Sequence, residues 1–219
     1  MFRRSSFGLV VLAALASGCL QKDTVHTLYL SPDGALRWTV DESGVHSDEA
    51  DAGARFAEEQ AYIGPALIGA HPVAIGLQAV GPDGPIRTTV IREERPFHVV
   101  TEGRFFRADR AFERLFTDNG IRASVSMETN GDRRQLRMQF DFTRQIQERD
   151  GAASTLLEDI ERFRFVLTEG QFLAGGGFDV PDRTKAAISR EWMTRMEAAL
   201  KEKRRIDLVL TWTLADGAL

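Results

Sequence analysis

Ile121-Arg122-Ala123-Ser124-Val125-Ser126-Met127-Glu128, then Asn130-Gly131, then Leu136-Arg137-Met138-Gln139-Phe140-Asp141-Phe142 is the stretch on which the fold class turns. Apolar side chains take every second position on both sides of the Asn-Gly pair, the two-residue period of strands with one dry and one wet face. Asn130-Gly131 suits the tight turn between them, because both residues tolerate positive φ. A one-sided hairpin of this kind predicts an antiparallel sheet covered on a single face.

Working outward, Ile206, Leu208, Leu210, Trp212 and Leu214 alternate with Asp207, Val209, Thr211 and Thr213 and predict a closing strand. Residues 24 to 30 and 35 to 41 are β-rich runs joined by Ser31-Pro32-Asp33-Gly34, an opening hairpin with His26 and His46 at its solvated margins. Residues 73 to 80, 87 to 92, 97 to 101 and 163 to 167, the last leading to 171 to 173, are further expected strands. Gly81-Pro82-Asp83-Gly84-Pro85 and Gly175-Gly176-Gly177 are turns between such runs, the triple glycine a mobile one. Helices are expected over residues 48 to 62, ended by Gly64-Pro65, over 107 to 118, stopped by Asn119-Gly120, and over 182 to 203. In the last of these, Ile188, Trp192, Met196, Ala199 and Leu200 make the apolar stripe. Residues 144 to 153 read as a polar excursion.

Strands in meandering runs with helices interposed predict an α+β fold: an antiparallel sheet of six to eight strands with two or three helices on one face. Eleven of the fourteen phenylalanines lie between residues 97 and 178, which puts the main core in the second half. No linker or internal repeat divides the chain, so residues 24 to 219 are expected to form one domain.

The N-terminus has a different logic. Arg3-Arg4 precede an apolar run, residues 7 to 16, half the length of roughly 20 residues that a spanning helix needs. Ala16-Ser17-Gly18 then lead into Cys19, the chain's single cysteine. This arrangement resembles the bacterial lipobox, with Ala16 where that motif more often has Leu. The resemblance implies cleavage between Gly18 and Cys19, a lipid on the Cys19 sulfur, and residues 19 to 23 as a tether to a membrane. Leu20 resembles the pattern sorted to the outer membrane in a host with two membranes. The residues after Arg3-Arg4 fit the twin-arginine pattern poorly, so general secretion is the expected route.

Composition narrows the functions. Loss of the two arginines with residues 1 to 18 takes the net charge from −4 to −6, a balance that argues against nucleic acid. A lone cysteine supplies neither an internal disulfide nor a metal cluster. A chain of this length buries roughly 70% of its unfolded surface and needs neither to fold. The chain carries no His-Glu-x-x-His, no Gly-x-Ser-x-Gly and no phosphate-binding loop, and the triple glycine lacks the Lys and Ser/Thr such a loop requires.

His71 and His98 read as ordinary histidines, Glu58-Glu59 and Glu93-Glu94 as adjacent carboxylates pointing apart, and Lys201-Glu202-Lys203-Arg204-Arg205 as cations favouring a helix C-terminus. No catalytic residue, metal ligand, cofactor or ligand-binding residue is assigned. The expectation is a membrane-anchored envelope module that binds a hydrophobic ligand or an envelope partner without catalysis. The alternative is an envelope hydrolase working through carboxylates or a Ser/Thr. It gains if a carboxylate and a histidine converge in the fold.

Overall fold

The computed structural model describes residues 20–143 and 152–214; the expected signal segment, Cys19 and most of the expected polar excursion lie outside them. The first half runs β1 (Leu20–Leu30), β2 (Leu36–Ser47), α1 (Ala52–Leu67), α2 (Pro72–Val80), β3 (Arg87–Arg92), β4 (Phe97–Phe105), α3 (Ala108–Asp118), β5 (Ala123–Asn130) and β6 (Arg133–Asp141). The second runs α4 (Ala152–Asp159), a 3-10 turn at Ile160–Arg162, β7 (Phe163–Leu167), β8 (Gln171–Leu173), β9 (Phe178–Asp182), β10 (Lys185–Ile188), α5 (Arg190–Lys201) and β11 (Arg205–Thr213).

The α+β class holds. One sheet has seven strands in the order β3-β4-β2-β1-β7-β10-β9, and a second has four in the order β5-β6-β11-β8. Every pairing is antiparallel except β1 with β7, where His26 pairs with Phe163 and Leu30 with Leu167. The hairpin around Asn130-Gly131 forms as its alternation demands, with Val125 opposite Met138 and Met127 opposite Leu136.

The core joins both sheets through aromatic rings. Trp38 of β2 lies 5.3 Å from Phe163, Phe116 of α3 lies 4.9 Å from Phe140 of β6, and Phe140 lies 5.7 Å from Trp192 of α5. All of these are buried, and one continuous cluster of buried side chains contains them. Ser189 caps α5 by accepting a bond from the Trp192 N–H at 3.1 Å, and the Trp192 indole donates to the Asp207 carbonyl at 2.8 Å.

Several local expectations give way to packing. Residues 73 to 80 are a helix, not a strand. Pro72 starts α2, where its missing N–H costs nothing, and Gly81 closes it at φ 83°. Gly64-Pro65 does not end α1, which continues to Leu67 because its inward stripe of Glu59, Tyr62, Ile63 and Ala66 still has sheet beneath it. Gly64, lacking a Cβ, also relieves the clash that a side chain before proline would make.

The stretch from 182 opens with the β9–β10 hairpin, so that α5 begins only at Arg190. The opening strand begins at Leu20, ahead of the expected start at Thr24. The triple glycine is a packed turn and not a mobile one. A Cβ on Gly176 would sit 2.0 Å from the Val209 carbonyl oxygen, and one on Gly177 would sit 2.5 Å from the Trp192 ring.

Candidate functional site

In β1, the face that carries Leu28 and Leu30 into the core also carries Lys22, Thr24 and His26. In β2, Glu42 follows Trp38 and Val40 on the same inward face. The sheet therefore sends charges and an imidazole under its helical cover, against the usual preference for water. Tyr62 of α1 and His71, the residue before α2, meet them from above. Asp159 and Arg162 close the far side.

Glu42 is 1% exposed and holds two partners: the Lys22 ammonium pairs with Oε1, and the Tyr62 hydroxyl donates to Oε2 at 3.1 Å. Burial and the adjacent Glu42 charge push the Tyr62 pKa far up, so its phenol stays a donor. His71 is fully buried and stands edge-on to the Tyr62 ring at 5.0 Å. Its Nε2 is 3.6 Å from Glu42 Oε2, too long for a hydrogen bond, and neither of its ring nitrogens has a hydrogen-bond partner. Burial lowers the His71 pKa; Glu42 opposes the shift and Lys22 adds to it.

His26 is fixed from the other side. The Trp38 indole can only donate, and it does so to His26 Nδ1 at 3.2 Å, which places the proton of the neutral ring on Nε2. That Nε2 is buried without a partner. Desolvation, reinforced by Arg162 and Lys22, drives the His26 pKa from 6.5 to about 4, so the ring is neutral at pH 7.

Beside His26 lies a cavity of about 90 Å³, edged by Lys22, Glu42, Leu77 and Asp159 among others. At about 30 Å³ per water it holds roughly three waters, well short of the 300 Å³ or more of a small-molecule pocket. A larger concavity, about 540 Å³, is an open groove between the end of α3 and the second sheet, with Asp141 its sole carboxylate and no histidine.

His26 is thus buried, not solvated as expected from its place in the hairpin. His46 bonds the Gly44 carbonyl at 2.7 Å, and His98 sits half-buried with its Nε2 3.0 Å from Asp41 Oδ1. Glu58 and Glu59 do not diverge: both reach Ser47, Glu58 at its hydroxyl and Glu59 at its N–H, 3.0 Å away. Arg95 completes that network, its Nε 3.0 Å from Glu59 and its Nη2 donating to the Ser47 carbonyl at 2.8 Å. Glu93 and Glu94 are exposed, as are Lys201 to Arg205. Among the described residues no three His, Cys, Asp or Glu side chains come together as metal ligands.

Sequence reasoning missed Lys22, Glu42, Tyr62, Asp159 and Arg162, which come from five separate elements. Register on β1 was the available signal, since His26 and Thr24 lie two and four positions before Leu28 and share its inward face, which Lys22 joins despite an irregularity in the pairing between Gln21 and Asp23.

Comparison with protein-family models and with characterised proteins finds no match. Among solved structures, the NMR structure of the folded domain of the LppM protein of Mycobacterium tuberculosis aligns over 91% of this chain and 92% of that one, with 8% identity and a TM-score of 0.35. That likeness is too slight to transfer fold or function.

Proposed function

We propose that the chain is an exported lipoprotein, held on a membrane through acyl chains on Cys19, whose folded part is a non-enzymatic module for an envelope partner. The observation that carries the anchor is the position of the only cysteine, between an apolar segment of signal length and the first residue of β1. Two or three acyl chains suffice for stable attachment, each buried methylene contributing about 0.8 kcal/mol. In a host with two membranes, Leu20 after the cysteine supports the outer one.

The non-enzymatic reading is supported by closure of the polar cluster. Glu42 and His71 are sealed from solvent, and the adjoining 90 Å³ leaves no room for a substrate. The same small volume favours a partner taken at the surface over a hydrophobic ligand held inside. A hydrolase keeps one observation in its favour, the convergence of Glu42, His71 and Lys22.

The test of the anchor is the intact mass of the full chain purified from a bacterial host's membranes. The expected mass lacks residues 1 to 18 and carries the added lipid, whereas Cys19→Ser accumulates without lipid and leaves the membrane fraction. An unmodified Cys19 in the wild-type protein would overturn the reading.

A further inference from the structure

The helical pair α1–α2 is inside-out. Glu59, Tyr62 and His71 are buried, Arg55 and Glu58 are partly so and Gln60 and Gln78 are exposed, while Phe56, Leu67, Ile68 and Ile75 are 65%, 59%, 80% and 61% exposed. These four are half of the large apolar side chains exposed among the described residues, gathered on one pair of short helices. Phe56 and Leu67 are eleven residues apart, close to three full turns, and so project from one outer stripe of α1. From Gln60 to Pro82 the sequence has no Asp, Glu, Lys or Arg at all, in a chain that is 27% charged. A surface of this kind marks an interaction site.

Two features say what covers it. Among the described residues no single helix is long and apolar enough to cross a membrane, and α1 and α2 together are bent by 43°. Their inner faces are already occupied by the sheet, which leaves a helical layer that can lie on a bilayer with its outer stripe among the acyl chains.

The second feature is the start of β1: Leu20, the residue after Cys19, packs against the cluster formed by Tyr62, Ile63 and Ala66 of α1 with Val45, Phe97 and Val99. With no spacer between the lipid-bearing residue and the sheet under α1, the local concentration of bilayer at the helical face is high, so even a weak apolar contact is made.

We infer that the outer face of α1–α2, with Ile68 at its tip, docks on the lipid bilayer that holds Cys19. The inference rests on the lipoprotein reading and names the partner: the acyl region of a bilayer, recognised without charge. Docking of this kind is insensitive to salt and to the fraction of anionic lipid, unlike a basic patch.

The test uses the full chain, purified as processed by the bacterial host and reconstituted into phosphatidylcholine vesicles. Spin labels go on Ile68→Cys, on Ile75→Cys and, as a control, on Asp132→Cys in the turn between β5 and β6. All three positions are exposed, so the fold is unaffected. Labels at 68 and 75 are expected to collide severalfold more with oxygen, relative to a water-soluble nickel complex, than the label at 132, at low and high salt alike. Equal values at all three positions would overturn the docking face. So would protection at 68 and 75 in detergent together with a doubled molecular mass, which would assign the face to a second copy of the chain.

Intact mass of the same samples separates the two readings. An acylated protein whose labels stay in water keeps the anchor and overturns the docking face. An unacylated protein whose labels still enter the bilayer loses the anchor and supports the docking face.

Discussion

The aromatic region, where β1 and β7 meet α3 and the second sheet, and the α1–α2 region over β2, β3 and β4 are built on opposite plans. In the first, Trp38, Phe112, Phe116, Phe140 and Phe163 pack ring against ring in one dry cluster. In the second, an ion pair, a phenol and an imidazole lie inside while Ile68 and Ile75 face out. Burying charge lowers stability unless it is fully paired, and exposing aliphatic surface forgoes the hydrophobic gain. A stretch of chain that does both serves something other than the stability of the isolated domain.

The comparison can be broken in the aromatic region first. Phe112→Ala removes a ring that contacts Trp38, Phe116, Phe163 and Phe165 and is expected to cost about 4 kcal/mol in urea unfolding. A loss below about 1 kcal/mol would mean the cluster is looser than its geometry.

In the α1–α2 region, Lys22→Met alone strands the Glu42 charge and is expected to cost about 3 kcal/mol, whereas Lys22→Met with Glu42→Leu is expected to recover most of that loss. Recovery would show that the ion pair is dispensable for folding. The same double variant discriminates function. If the protein were a hydrolase using Glu42 and His71, hydrolysis of any ester or amide it accepts would disappear while the fold remained, and the non-enzymatic reading would fall.

The smallest effect is one of pH. The folded pKa of His26, about 4, lies below the 6.5 of the unfolded chain, so the unfolded state takes up the proton first as pH falls. The neutral ring's full contribution is therefore present above about pH 6.5, declines between 6.5 and 4, and is gone below. Between pH 7 and pH 5 this amounts to about 2 kcal/mol. Urea midpoints of the wild type and of His26→Gln, which keeps an acceptor for Trp38, are expected to diverge over that interval. A variant with the wild-type pH slope would assign the loss to other groups.

How much of this was legible follows the same division. The hairpin of residues 121 to 142, the closing strand and α3 announce themselves by strict alternation or helical spacing, because each has one face toward the dry core. The α2 segment was unreadable by period: Val73, Ile75 and Val80 favour a strand, and with apolar residues on both faces no stripe emerges. Pro72 and Gly81 held the answer as start and stop signals. The second sheet and the single parallel pairing depend on contacts distant in sequence, which no local pattern reports. The candidate cluster was hidden for the same reason, although the even register of Lys22, Thr24, His26 and Leu28 already committed three polar side chains to the interior.

The pairing of β1 with β7 has a consequence for the order of events. Leu28 must wait for Phe165 before its outer strand edge is closed, a separation of 137 residues. On the proposed export route, the chain cannot complete the larger sheet until its last third has crossed the membrane. The strand that follows Cys19 is therefore among the first to arrive and among the last to be enclosed. Contacts this distant slow folding, and a precursor that folds late stays threadable for longer.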